Sequence, residues 1–333
     1  MVLPDAHAGR AEHRRPHRLL ARRRGEAVSG TDGDDTIVQR DVARGLLGPQ
    51  KSLPAYLFYD AAGSELYEQI TTLPEYYPTR AERSIFATQA ADIVAAAALG
   101  SPDPLNVIEL GAGTATKTQL LLEALVERQG ACDFLAIDVS SSALGEAVAR
   151  LGREAPRVRV RPLVAHHEEA MAEIERVAPR QLALFIGSSI GNYTDEEATR
   201  LLRQLRLSLR PGAAFLLGTD LRKSPERMVP AYDDAQGVTA AFNLNLLVRL
   251  NRELGADFDP AAFRHVALWN PERSRIEMHL ESRRAQDVQL PALHTRVHFG
   301  AGERIHTESS VKYDEAHVDR LLAAEARGRE RTF

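Results

Sequence analysis

The stretch VIELGAGTATK, residues 107–117, joins a short apolar run to a helical pattern through two glycines. Gly111 and Gly113 allow a sharp turn and a close approach of the backbone to a ligand. A dinucleotide fingerprint would require a third glycine at position 116, where Thr116 stands instead. An acidic residue, Glu109, ends the apolar run, and this E-x-G-x-G spacing is the form seen in enzymes that bind S-adenosylmethionine. A glycine pair alone also occurs in ordinary turns.

A second acidic residue, Asp138, ends the next apolar run, FLAID. A carboxylate at this place can accept hydrogen bonds from both hydroxyls of a ribose. The spacing suits NAD as well as S-adenosylmethionine, and a carboxylate that caps the following SSSAL helix is the structural alternative. Together with the glycine pair, Asp138 predicts a cofactor that contains adenosine.

Further polar residues follow the third and fourth apolar runs. His166 and His167 stand where an adenine edge could be read, and without a third ligand nearby in sequence they predict no metal site. Asn192 lies where the chain turns into the capped helix TDEEA. Its amide can donate to a carboxylate and accept from an amine, so we expect it to face the group that is transferred. An asparagine that only shapes the turn is the alternative.

Glu308 and Ser310 are two residues apart, so on a strand they face the same way. A carboxylate and a hydroxyl on one face would suit a ring nitrogen, and a solvated strand face is the alternative. Tyr76 and Tyr77 lie between two prolines in TLPEYYPTRAE, Thr72–Glu82. Because proline restricts its own backbone and that of the preceding residue, we expect a stiffened, non-regular loop. Packing alone could also explain the tyrosine pair.

The elements that must position these residues alternate in type up to residue 221. Five apolar runs alternate with helical patterns, which predicts a parallel sheet with helices on both faces. Beyond it, RIEMHLESRRAQDVQL and HTRVHFGAGERIHTESSVKY alternate apolar and polar residues, as antiparallel strands do. We predict an α/β protein: a Rossmann-like domain of residues 100–222 and 314–333 beside an α+β substrate-binding domain of residues 36–99 and 223–313. The site should lie at their seam.

The bulk composition excludes several classes of protein. The 333 residues are 44% hydrophobic and 26% charged with a net charge of -4, which argues against nucleic acid as a partner. No apolar run approaches the roughly 18 residues that span a bilayer. The single cysteine, Cys132, cannot form an internal disulfide and fits a reducing cytoplasm. Residues 1–35 are rich in arginine and predict a disordered tail rather than a secretory signal.

Taken together, these residues resemble the histidine-specific methyltransferases, which make N,N,N-trimethylhistidine (hercynine) in ergothioneine biosynthesis. The resemblance covers about residues 41–322. It is carried by LPAYLFYDAAGSELYEQITTLPEYYPTRAE, IGSSIGN, LLGTDL, YDDAQGVTAAFNLNLLVRLNRELGADFD, WNPERSRIEM and HTESSVKY. It implies a Rossmann-like methyltransferase sheet and methyl transfer from S-adenosylmethionine to the α-amine of L-histidine. No metal is implied, and we expect a monomer.

The resemblance also implies roles for single residues, which fall into a cofactor group and a substrate group. The cofactor group comprises Gly111, Lys117 and Asp138, to which the turn adds Gly113 and the position beside the adenine adds His166 and His167. In the substrate group, the implied contacts to the α-amine and α-carboxylate are Tyr59, Asn192 and Tyr232, and Tyr76 touches the substrate from a lid. The implied contacts to the imidazole are Glu308, Ser310 and Met278. Tyr59 and Asn192, beside the reacting amine, are the expected catalytic residues.

Two features depart from the family pattern. Where the family usually has an aspartate followed by an aromatic residue beside the adenine, this chain has His166 and His167. The family also continues past Leu322 with two strands, whereas AAEARGRERTF offers one poor strand, RERTF. We therefore expect truncated C-terminal strands and a marginally stable, weakly active or inactive chain. N-methylation of another aromatic amino acid and inactive binding of S-adenosylmethionine or histidine remain the alternatives.

Overall fold

The computed structural model describes residues 32–323 and 331–333, and its central layer is a parallel sheet. The strands of this sheet are β1 (Asn106–Leu110), β2 (Cys132–Asp138), β3 (Val158–Val164), β4 (Gln181–Phe185) and β5 (Ala214–Leu217). They lie in the order β3-β2-β1-β4-β5, and all neighbours are parallel. The five apolar runs are therefore the five strands, as predicted. The order reverses between β1 and β4, which is where such sheets bind ligands.

The helices are α1 (Asp32–Leu46), α2 (Ala61–Thr72), α3 (Tyr77–Ala98), α4 (Gln119–Gln129), α5 (Ser141–Glu154), α6 (Met171–Ile174), α7 (Asp195–Ser208), α8 (Pro225–Met228), α9 (Val238–Leu254) and α10 (Glu315–Ala323). Local sequence fixes several of their starts. Ser140 caps α5 by accepting a hydrogen bond from the Ala143 N–H. Thr194 and Glu197 form a capping box at α7, so the loop after β4 ends at a defined residue.

A second, antiparallel sheet holds the other half of the site. Its strands are β6 (Phe263–Asn270), β7 (Arg275–Ser282) and β10 (Arg304–Val311), in the order β10-β7-β6. A separate hairpin joins β8 (Gln286–Leu290) to β9 (Thr295–Phe299). The register places Glu308 opposite Met278 and Ser310 opposite Ile276 on the sheet face that carries apolar side chains. The sequence patterns predicted β7 to β10 but not β6, whose half-buried residues do not alternate clearly.

Two boundaries differ from the expectation. The tyrosine pair does not lie in a wholly non-regular loop, because α3 begins at Tyr77. Pro78 fits the first helical turn, where its missing N–H and fixed φ cost nothing. Helix α3 also does not pack only with the substrate-binding half. Phe86, Ile93 and Val94 belong to the apolar core that lines β1, β2 and α4, because they form the buried side of a helix that crosses the sheet.

The two ends of the chain are described only in part. Helix α1 begins at Asp32, so residues 32–35 are helical rather than part of the expected tail, whereas residues 1–31 lie outside the described part. Residues 324–330, including the start of the expected RERTF strand, also lie outside it. The last three residues, 331–333, form no strand, and Phe333 packs against the apolar core that includes residues of α3 and α4. None of the helices in the described ranges is long and apolar enough to cross a membrane.

Candidate active site

The glycine turn after β1 is tied to the end of β2 by the carboxylate of Asp138. One carboxylate oxygen accepts a hydrogen bond from the Gly113 N–H and the other from the Ser140 N–H, both at 2.8 Å. Burial raises the pKa of Asp138, although these backbone donors oppose the effect. Each oxygen keeps lone-pair capacity for another donor. The carboxylate can therefore accept two ribose hydroxyls while it holds the turn in place.

The glycines keep open space above this turn. Gly111 and Gly113 both have positive φ, 72° and 53°, a region that favours glycine. A Cβ added to Gly113 would meet no protein atom within 4 Å, so that side of the turn is free for a ligand. The residues present therefore fit an adenosine group, with the turn below it and Asp138 at its ribose.

Glu109 supports the turn from beneath. Its side chain is buried, and Oε1 accepts a hydrogen bond from Thr118 Oγ1 at 2.9 Å, where α4 starts. Burial raises the pKa of Glu109 to about 8, so the carboxyl is protonated at neutral pH. The acidic residue of the E-x-G-x-G pattern thus connects β1 to the start of α4 through its hydrogen bond with Thr118.

Lys117 lies between the glycine turn and the loop after β4. Its Nζ lies 2.5 Å from Glu82 Oε2, and Glu82 Oε1 accepts a hydrogen bond from the Gly187 N–H at 2.7 Å. Burial lowers the pKa of Lys117, but the Glu82 carboxylate outweighs burial and the net shift is upward. Gly187 and Ser188 both have positive φ, so the loop turns back sharply here. Glu82, which the sequence reading did not single out, orients the lysine from α3.

The side chains of the two adjacent histidines, His166 and His167, have different contacts. His167 Nδ1 lies 3.0 Å from the Tyr193 hydroxyl, and a Cβ on Gly111 would lie 3.8 Å from its Nε2. Burial lowers the pKa of His167 to about 4, which keeps the ring neutral at the edge of the glycine turn. His166 instead packs edge-on against Tyr56, with ring centroids 4.8 Å apart. Within the described ranges no group of His, Cys, Asp and Glu side chains is arranged to hold a metal ion.

A small aromatic pocket opens near the seam between the two sheets. Its lining is Tyr59, Tyr67, Ile70, Tyr76, Ala231, Tyr232, Thr239, Phe242, Met278 and Glu308. Five of these ten were singled out from the sequence. Four of the others, among them Tyr67 and Phe242, lie on α2 and α9, where their spacing is typical of ordinary helix packing, and Ala231 lies before α9. Edge-to-face contacts link Tyr67 to Tyr59 and to Tyr76, with centroids 5.6 and 6.3 Å apart.

Glu308 is the carboxylate of this aromatic pocket. Burial raises its pKa to about 7, and the positive charge of Lys312 opposes that rise. The side chain is therefore poised to exchange a proton near neutral pH. Burial also raises the pKa of Tyr59, Tyr76 and Tyr232 well above the usual value of a phenol. These three hydroxyls are neutral groups that can both donate and accept.

Ser310 and Asn192 do not line the pocket. Ser310 Oγ lies 2.8 Å from the Tyr232 hydroxyl and 2.9 Å from Lys312 Nζ, so it is placed behind Tyr232. Asn192 ends a short 3-10 helix, Ser189–Asn192, and is half-buried. The neighbouring Gly191 touches the backbone of Val311 at the end of β10, where a Cβ would come within about 3.0 Å. Asn192 thus reaches the seam from the parallel sheet.

A Rossmann-like sheet whose edge fits an adenosine group, next to an aromatic pocket with one carboxylate, is the arrangement of a methyltransferase that acts on a small molecule. The chain belongs to the S-adenosylmethionine-dependent, histidine-specific methyltransferases, whose family model matches residues 38–333.

Three relatives, two of them named as histidine methyltransferases, align with most of this chain. The chain is 46% identical over 292 residues to the histidine N-alpha-methyltransferase of Mycolicibacterium smegmatis, covering 88% of this chain and 89% of that protein. It is 44% identical over 295 residues to the enzyme of the same name from Mycobacterium tuberculosis, covering 89% and 90%. It is 29% identical to the 4-dimethylallyltryptophan N-methyltransferase easF of Trichophyton verrucosum, covering 83% and 84%.

Proposed function

We propose that the protein transfers methyl groups from S-adenosylmethionine to the α-amine of L-histidine, in three rounds, and so forms hercynine for ergothioneine biosynthesis. The observation that carries this proposal is Glu308, a half-buried carboxyl whose pKa desolvation raises to about 7, inside a pocket otherwise lined mainly by aromatic and aliphatic side chains. An imidazole titrates near pH 6.5 in model peptides, so it can share a proton with such a carboxyl.

The chain's own residues would hold the cofactor at the carboxyl edge of the parallel sheet. Asp138 accepts from the ribose, Gly111 and Gly113 admit the ligand to the backbone, and Lys117 offers a cation to the carboxylate of the methionine part. His167 would stand beside the adenine, with His166 behind it. When bound, S-adenosylmethionine supplies an electrophilic methyl group on a sulfonium, and the electrons of the broken C–S bond remain on sulfur.

The substrate residues would orient the amine for in-line attack. Tyr59 and Asn192 would form hydrogen bonds with the α-amine, and Tyr232 together with Asn192 would bind the α-carboxylate. Tyr76 closes the pocket, and Glu308, Ser310 and Met278 surround the imidazole, Ser310 acting through Tyr232. The α-amine has a pKa near 8 in model peptides, so desolvation suffices to provide its neutral, nucleophilic form. The first two rounds each release one proton from nitrogen, and the third leaves a quaternary cation.

Tyr59 would act as an acceptor and not as a charged base, because burial raises its pKa well above the usual value. A neutral hydroxyl can accept from an amine N–H in the first rounds and withdraw when a methyl group replaces that hydrogen. Such a contact tolerates three successive substrates better than a fixed ion pair would. The main catalytic contribution is then positioning, which can supply several kcal/mol.

Methylation of an indole-bearing amino acid is the competing reading, favoured by the similarity to the easF protein. An indole does not titrate near neutral pH, so it cannot share a proton with Glu308. It is also larger than an imidazole. We place the reaction in the cytoplasm, where the buried thiol of Cys132 stays reduced, and expect a monomer.

The test combines calorimetry with product analysis. The purified chain should bind L-histidine and S-adenosylhomocysteine, and incubation with S-adenosylmethionine should give hercynine with about three S-adenosylhomocysteine per product. Methylation of tryptophan in place of histidine would favour the indole reading. Binding of both ligands without any methylated product would instead identify an inactive binding protein.

A further inference from the structure

A buried lysine stands behind the pocket and is not used in the reaction proposed above. Lys312 follows β10, and its side chain is fully buried. Its Nζ lies 2.7 Å from the Tyr232 hydroxyl, 2.9 Å from Ser310 Oγ and 3.0 Å from Asp220 Oδ2. Three donors of one ammonium group thus meet three oxygens. A buried charge is costly unless it is paired in this way, so this cluster is a built feature of the fold.

Asp220 balances the charge of Lys312. Its carboxylate also accepts a hydrogen bond from the Tyr77 hydroxyl at 2.6 Å and one from Lys223 Nζ at 2.6 Å. The backbone holds the two charged residues side by side. Tyr313 N–H donates to the Asp220 carbonyl, and Arg222 N–H donates to the Tyr313 carbonyl, both at 2.8 Å. The position of Lys312 Nζ is therefore set by main-chain pairing and not by the flexible lysine stem.

The hydrogen-bond directions around Tyr232 follow from simple counting. Lysine can only donate, so the oxygens of Tyr232 and Ser310 both accept from Lys312. These oxygens are 2.8 Å apart, so one of the two hydroxyls donates to the other. Two hydroxyl protons minus the one used between them leaves a single proton for another acceptor. Within the described residues, Ser310 Oγ has no hydrogen-bond partner besides Lys312 and Tyr232, and a lysine cannot accept. Ser310 therefore donates to Tyr232, and the remaining proton is that of Tyr232, which lines the pocket.

We propose that Lys312 is a positioning residue that fixes Tyr232 as a hydrogen-bond donor toward the α-carboxylate of the amino acid substrate. This inference rests on the proposed function, because it takes a histidine-like amino acid as the ligand. Lys312 and Ser310 together occupy both lone pairs of the Tyr232 oxygen, which leaves only its proton for a ligand. Without Lys312, one lone pair would be free, and Tyr232 could turn an acceptor toward a carboxylate. The lysine thereby selects ligands that carry an acceptor at this position.

The test compares L-histidine with histamine, which has the same imidazole and amine but no carboxylate. In Lys312→Met, which keeps the length of the stem and removes the donors, binding of histidine should weaken about 10–100-fold, the range for losing hydrogen bonds supported by a charged group. Histamine and S-adenosylhomocysteine should bind as they do to the wild type. The matched control is Lys51→Met, which removes a partly buried lysine paired with Glu303 far from Tyr232 and should change none of the three affinities.

Two further variants keep the test decisive. If Lys312→Met does not fold, as judged by circular dichroism, the double change Lys312→Met with Asp220→Asn removes both buried charges and should show the same selective loss. Tyr232→Phe should also lose histidine but not histamine. Adding Lys312→Met to Tyr232→Phe should then cause no further loss, since both changes remove one contact.

Two results would overturn the inference: equal weakening of histidine and histamine in a folded Lys312 variant, or additive losses in the double variant with Tyr232→Phe. Failure of the proposed function looks different. In that case the wild-type chain itself would not bind histidine, and the comparison between wild type and variant would show no preference for the carboxylate.

Discussion

Tyr77 donates a hydrogen bond to Asp220 at 2.6 Å, although the two residues are 143 positions apart. Its neighbour Tyr76 lines the aromatic pocket instead. The start of α3 thus sends two adjacent phenols in different directions, one to the pocket and one to the cluster behind it. Through Tyr77, the pair of tyrosines between two prolines connects α3 to the segment that follows β5.

Tyr77→Phe should lower the free energy of unfolding by about 1.5–3 kcal/mol, because it removes a hydrogen bond to a buried carboxylate. Urea denaturation measures this change. Tyr193→Phe is the control, since Tyr193 bonds the neutral ring of His167 and its loss should cost only about 0.5–1.5 kcal/mol. If both variants lost the same free energy of unfolding, the hydrogen bond from Tyr77 to the Asp220 carboxylate would be no stronger than one between neutral groups.

Asp138→Ala should weaken S-adenosylhomocysteine by about 10–100-fold, because one carboxylate serves two ribose hydroxyls and also holds the glycine turn. Calorimetry gives the affinity. The control is Asp133→Ala on the same strand, where the side chain is exposed and paired with Arg159. An unchanged affinity in Asp138→Ala would remove this residue from the cofactor site.

Glu308→Ala should weaken histidine far more than S-adenosylmethionine and should shift selection toward tryptophan. The reason is the loss of a carboxyl that can exchange a proton with an imidazole, which an indole, a donor only, cannot do. The measurement is kcat/KM for both amino acids. Glu303→Ala, at the residue that precedes the same strand, serves as the control. A histidine preference that survives in Glu308→Ala would contradict the imidazole role.

Glu308→Gln should stabilise the ligand-free protein at pH 8. The pKa of Glu308 rises from 4.5 to about 7 on folding because of burial, so the ionised form is disfavoured in the folded state. Stability attached to this carboxyl is therefore full below pH 4.5 and is lost as the pH rises toward 7. At about 1.4 kcal/mol per pKa unit the loss reaches roughly 3 kcal/mol, which glutamine avoids.

Unfolding free energies of wild type and Glu308→Gln, measured from pH 5 to pH 8, test this sign. The gap between them should be small at pH 5 and should widen toward pH 8. A gap that stays constant over this range would show that folding does not shift the pKa of this carboxyl. Other titrating groups, Glu109 among them, are common to both chains and cancel.

The adenosine half of the site could be predicted because its residues sit at strand ends. The carboxyl ends of parallel strands meet at one edge of the sheet, so Glu109 and Asp138 had to come together once β1 and β2 were recognised. The strand period likewise put Glu308 and Ser310 on one face. The strand period could not show that Ser310 lies behind Tyr232, because this position depends on how the segment before α9 folds over β10.

The lysine cluster could not be predicted from local patterns. Lys312 and Asp220 are 92 positions apart, and they meet only because residues 221 and 313 pair as a parallel bridge between two sheets. Each residue taken alone looks like a surface charge at the end of a strand. Glu82 was missed for the same reason, because its partners Lys117 and Gly187 lie on different elements.

The bridge between Leu221 and Tyr313 also has a mechanical consequence. Two backbone hydrogen bonds and a buried ion pair fasten the end of β10 to the end of β5, so the two sheets cannot part along this line without breaking all three. We therefore expect the pocket to open on the side of α2 and of the residue that precedes α3, which supply Tyr67 and Tyr76. In amide hydrogen exchange, the N–H groups of Arg222 and Tyr313 should belong to the slowest class, while those of α2 exchange faster until substrate is added.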